Sequence, residues 1–134
     1  MMRVMLMMVS GLMLVVRLLL GTAAAPADDP ETVMITFQPK AGMEEELKKA
    51  IASHWVTVQK LGLARAEPHV TLETRDEARH PAFIEIFTWR DRDIPDNAPQ
   101  AILTIWSEMN RLTAPRNGRP GLDVKEVKLA SGVQ

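Results

Sequence analysis

The segment Ala82-Phe83-Ile84-Glu85-Ile86-Phe87-Thr88-Trp89 limits what this chain can become more than any other. β-Branched and aromatic side chains suit a pleated, half-buried surface, so the run reads as a strand. Just upstream, His69-Val70-Thr71-Leu72-Glu73 alternates with a period of two, and the polar stretch 74–81 between them reads as a turn. A hairpin centred on Ala78 sets Val70 opposite Ile86 and Leu72 opposite Ile84 on one face. By the same parity the other face carries His69, Thr71, Phe83, Glu85, Phe87 and Trp89.

The remaining segments complete a regular order. Thr32 to Gln38 is a strand ended by Pro39. Met43, Leu47, Ala50, Ile51, His54, Val58 and Leu61 recur at helical spacing, with an acidic first turn (Glu44, Glu45, Glu46) and Gly62 at the end. Glu44 with Lys48 and Glu45 with Lys49 have the spacing of favourable helix pairs. A second helix carries Ile102, Ile105, Trp106, Met109 and Leu112, and Asn97 with Gln100 suits its N-cap and capping box. Leu122 to Leu129 is a last strand whose alternation breaks between Val124 and Val127. The sum is β-α-β-β-α-β, the ferredoxin-like α+β sandwich: an antiparallel sheet with two helices on one face. Val70, Leu72, Ile84 and Ile86 then lie on a bare apolar face, which a homodimer packing sheet to sheet would cover.

Ahead of this domain, Val4 to Leu20 is almost wholly apolar, preceded by Arg3 and followed by the small residues Gly21-Thr22-Ala23-Ala24-Ala25. Residues 1–27 therefore read as a signal peptide, cleaved after Ala24 or Ala27, with 28–134 as the exported, periplasmic or extracellular domain. Arg17 inside the apolar run keeps open an N-terminal anchor, or a start at a later Met. Removing Arg3 and Arg17 leaves 14 basic against 17 acidic residues, a net charge of −3. That balance offers no electrostatic footprint for nucleic acid. With no cysteine, disulfides, zinc-thiolate sites and thiol catalysis are excluded.

Five side chains stand out as site candidates. His54 lies on the apolar stripe of the first helix, where it is either a base for a bound molecule or a buried histidine bonded to a carbonyl. Glu85 interrupts the most apolar strand and shares a face with His69 and Trp89. It is a pocket group oriented by His69, a structural His–Glu pair, or an exposed sheet position. Trp89 and Trp106 are core residues or walls of a ligand pocket. His80, in the turn, is expected to be solvated. His54, His69 and Glu85 have the types for a metal site but no ligand-like spacing, and no metal is expected.

The strand ending in Pro39-Lys40-Ala41-Gly42-Met43-Glu44-Glu45-Glu46-Leu47 resembles the opening of the antibiotic-biosynthesis-monooxygenase-like proteins, and Phe83 to Asp91, with its Thr-Trp-Arg-Asp end, resembles their third strand. The resemblance spans residues 32–129 and implies a dimeric α+β barrel whose pocket, lined by Trp89, lies between sheet and helices. Haem-degrading members use an Asn on the first strand and a His on the second helix; Ile35 stands at the first place and the second helix has no His. Quinone-forming members need neither metal nor flavin, only a base or a polar group that stabilises an enolate. The resemblance thus implies a cofactor-independent oxygenase acting on a small hydrophobic or aromatic molecule. The alternative is a non-catalytic small-ligand-binding or stress-associated module. Contact with a membrane is expected only through an uncleaved leader.

Overall fold

The computed structural model describes residues 28–133, so the leader lies outside the described residues. Four strands and two helices follow the expected order: β1 (Glu31–Phe37), α1 (Glu44–Lys60), β2 (Ala64–Arg75), β3 (Pro81–Trp89), α2 (Gln100–Leu112) and β4 (Leu122–Glu126). The strands form one sheet in the order β2-β3-β1-β4, every neighbouring pair antiparallel. This is the split βαβ arrangement. Among the described residues no helix is long and apolar enough to cross a membrane.

The hairpin has the register read from its alternation, with Val70 opposite Ile86 and Leu72 opposite Ile84. β2 is longer than expected, starting at Ala64. The ladder slips between Ala64 and His69, where Pro68 has no N–H to give to a neighbour. The turn is tied rather than merely solvated: the exposed His80 donates its backbone N–H to Asp76 Oδ1 at 2.8 Å and sets its ring against Oδ2 at 3.1 Å.

α1 ends as Gly62 foretold. With φ of +68° at Gly62, its N–H reaches Gln59 O and the Leu63 N–H reaches Val58 O, both at 3.0 Å. That pair of bonds is the Schellman closure. At the other end Lys48 turns back to Glu45 at 2.6 Å, three residues away, rather than to Glu44.

α2 corrects its expected start. Asn97 does not cap it; Asn97 closes a 3-10 turn (Pro95–Asn97) and its side-chain amide donates to Asp93 O at 2.9 Å. Pro99 forces the residue before it into extended backbone, with ψ of 140° at Ala98, so the helix starts only at Gln100. β4 likewise stops at Glu126, where its alternation fails.

Both helices cover one face of the sheet. Val33, Ile35, Phe37, Phe83, Phe87 and Trp89 meet Leu47, Ile51 and Val58 of α1 and Ile102, Met109 and Leu112 of α2 in one core. On the opposite face Val70 and Leu72 are 41% and 48% exposed, beside the half-buried Met34, Ile84 and Ile86. The bare apolar face expected from the sequence is present on the protomer.

Candidate functional site

Two ionisable side chains are fully buried in this core, His54 and Glu85. His54 occupies the inward stripe of α1, between the buried Ile51 and Val58. Glu85 sits mid-way along β3, opposite Ile35 on one side and Thr71 on the other. His69 pairs with Phe87, so it lies diagonally across from Glu85 on the same face.

These groups form a chain. The indole Nε1–H of Trp106, on α2, donates to His54 Nε2 at 3.0 Å. His54 Nδ1 faces Glu85 Oε1 at 3.6 Å, and Glu85 Oε2 meets His69 Nε2 at 3.2 Å. An indole N–H is a donor and never an acceptor, so His54 Nε2 accepts and the neutral ring carries its proton on Nδ1, toward the carboxylate. At 3.6 Å that contact is too long for a hydrogen bond, and neither atom has another partner. It is an electrostatic contact in a dry interior, where such contacts are strong. His69 ends the chain a quarter exposed, its ring lying flat on Trp55 at 3.7 Å and 3°. Among the described residues His69 Nδ1 makes no hydrogen bond.

Two cavities flank the chain. A cleft of about 490 Å³ lies between α1 and β2, walled by Ile51, Trp55, Val56 and Phe83, with the buried Glu85 and the partly exposed His69 at one place in its lining and Lys48 and Glu73 at another. A second cavity of about 290 Å³ lies under α2, walled by Val33, Ile35, Trp89, Trp106 and Leu122, with Asn110 as its polar group. The five candidates are therefore neighbours but do not share one pocket. His69 and Glu85 face the first cavity, while Trp89 and Trp106 face the second. His54 lines neither: its ring packs edge-on against Phe87 and Trp89, and its nitrogens face Trp106 and Glu85. Of the two histidines, His69 reaches a cavity and His54 does not. Trp55, which sequence reasoning passed over, completes the cleft. It lies one position off the apolar stripe, which turns it toward β2. Among the described residues no group of three His, Asp or Glu side chains is placed to hold a metal ion.

No protein-family model matches the chain. No curated protein matches it in sequence. Solved structures do match in fold. A point variant of SnoaB, a cofactor-independent oxygenase from Streptomyces nogalater, superposes with a TM-score of 0.57 at 14% identity, covering 78% of this chain and 97% of that one. A candidate antibiotic biosynthesis monooxygenase from Caulobacter crescentus gives 0.53 at 12%, covering 78% and 92%. A dimeric ferredoxin-like protein of unknown function from Jannaschia gives 0.54 at 14%, covering 75% and 100%. The domain therefore has the ferredoxin-like α+β fold of the antibiotic-biosynthesis-monooxygenase-like structures.

Proposed function

We propose that this protein is an exported homodimer that binds a small hydrophobic or aromatic molecule in the α1–β2 cleft and oxidises it with dioxygen, without a cofactor. The observation that carries this reading is Glu85. A fully buried carboxylate in the middle of the most apolar strand costs several kcal/mol to desolvate. It is held against His69 in the lining of a cleft with apolar walls. With Glu85 on Nε2, His69 Nδ1 is the nitrogen left to take a proton from an activated C–H or O–H, and Glu85 stabilises the imidazolium that forms. The resulting carbanion is the reductant: it gives its electrons to dioxygen and a C–O bond forms. The peroxide takes up the proton held by His69, and loss of the second C–H proton breaks the O–O bond and releases water. A methylene and dioxygen thus become a carbonyl and water. SnoaB, of the same fold, is a cofactor-independent oxygenase. Homodimer formation would cover the apolar face around Val70, and the Jannaschia structure of this fold is dimeric. Export rests on the leader alone; an intact N-terminus in mass spectrometry of the cell-associated protein would replace secretion with anchoring.

Oxygen uptake with a panel of quinols and anthrone-type aromatics tests the chemistry. Wild type should consume oxygen, and Glu85→Gln and His69→Ala should each lose about a hundredfold or more, the usual worth of a general base. Equal rates in all three proteins would remove the dyad from the reaction. A second reading, a non-catalytic ligand-binding module, draws on one observation: His54 faces Trp106 and Glu85 inside the core and lines neither cavity, as in a structural network. Quenching of Trp55 by the same aromatics with no oxygen uptake would establish it.

A further inference from the structure

We infer that Trp106, which lies on α2 outside the α1–β2 cleft, is a positioning residue that fixes the tautomer of His54, so that His54 turns a proton and not a lone pair toward the Glu85 carboxylate on which His69 relies. The inference rests on the reading of His69 as the base.

The logic is one of donors and acceptors. At one end stands an indole N–H, which can donate and nothing else; at the third place stands a carboxylate, which accepts. Between them His54 must accept at Nε2, 3.0 Å from Trp106, and present a proton at Nδ1, 3.6 Å from Glu85. The reverse tautomer would set two N–H groups head to head at Trp106 and two lone pairs facing each other at Glu85. A doubly protonated ring is barred as well, because the indole N–H already fills Nε2. Glu85 Oε2 accepts from His69 Nε2–H because a carboxylate only accepts, which leaves the bare lone pair of His69 on Nδ1; the His54 proton facing Oε1 steadies the charge of that carboxylate. Replacing the indole with a phenyl ring keeps the packing against Trp89 and His54 but removes the donor at Nε2, leaving only Glu85, 3.6 Å from Nδ1, to hold the tautomer. Water cannot easily take its place, since His54 is fully buried.

Long-range proton–nitrogen spectra of the histidine-labelled protein read this directly, because protonated and bare ring nitrogens resonate far apart. In the wild type His54 should be a single Nδ1–H tautomer and His69 a single Nε2–H tautomer. Trp106→Phe should turn His54 into a mixture and lower kcat of oxygen uptake by about tenfold or more while KM holds, a part of what a general base contributes. His54→Gln keeps the sense of the chain, its amide oxygen accepting from Trp106 and its N–H₂ facing Glu85, so His69 should stay Nε2–H. An Nε2–H tautomer at wild-type His54, an Nδ1–H tautomer at His69, or a single unchanged tautomer in Trp106→Phe would overturn the inference. The wild-type spectrum decides even if a variant fails to fold. The two proposals fail separately: expected tautomers without turnover sink the oxygenase alone, and turnover with reversed tautomers sinks the positioning role alone.

Discussion

Removing His54 should cost more stability than removing Glu85, although the two face each other and are equally buried. In His54→Leu the carboxylate stays in the core with one partner gone, and the Trp106 N–H loses its acceptor. The orphaned indole N–H costs about 1–3 kcal/mol, and the buried carboxylate that loses a facing N–H dipole adds to that. Glu85→Leu instead deletes the charge itself. Replacing buried ionic groups with apolar residues of similar volume is neutral or stabilising by about 1–4 kcal/mol. Against that stands the lost electrostatic contact with the His54 N–H, which is no hydrogen bond at 3.6 Å and so costs less than a lost buried acceptor, about 1–3 kcal/mol. His69 loses little, since it is a quarter exposed and water can reach it. The balance for Glu85→Leu is a change within about 2 kcal/mol of zero.

Urea unfolding at one fixed protomer concentration, for both single variants and the double variant, measures this. Concentration must be matched because a dimer gains stability by mass action. The double variant should recover stability relative to His54→Leu, giving a coupling within the range found for residues in one network, about 0.5–3 kcal/mol. If Glu85→Leu proved the more damaging single change, or if the double variant were no better than His54→Leu, the pair would not be the electrostatic unit described. Glu85 would then be a purely structural hydrogen-bonding residue, and the argument that its burial serves the cleft would fall.

Two further outcomes follow from other parts of the fold. Val70→Glu puts an unpaired charge on the bare sheet face, away from both cavities, and should weaken a dimer by about a hundredfold or more. Light scattering checks it, and a wild-type protein that is monomeric at micromolar concentration would remove the sheet-to-sheet dimer. At the hairpin turn, the His80 backbone N–H, followed by the His80 ring and Arg116, holds the Asp76 carboxyl below its ordinary value of 3.8. A lowered folded value means that this stabilisation is full above the ordinary carboxylate range and fades as pH falls through the folded value. Asp76→Asn should therefore lose less thermal stability than wild type on acidification to about pH 2; parallel curves would deny the turn any part in acid sensitivity.

What could be read from the sequence divides along the difference between strands and helices. In a strand, parity alone decides which face a side chain takes, so His69 and Glu85 could be set on one face of the hairpin once its centre was placed at Ala78. A helix fixes direction only after its rotation about its own axis is known, and tertiary packing sets that rotation. Hence His54 was legible as an inward residue of α1, but its contact with Glu85 was not, nor was the bond from Trp106 on the other helix. Trp55 shows the same limit, since a residue at the margin of an apolar stripe can face core, cleft or solvent. The single expected pocket became two for a related reason. Only with both helices docked does it emerge that the His54 ring, wedged among Phe87, Trp89 and Trp106, fills the middle of the space between sheet and helices. That ring divides an apolar side under α2 from an ionisable side under α1. On the α1 side His69 and Glu85 meet the cleft.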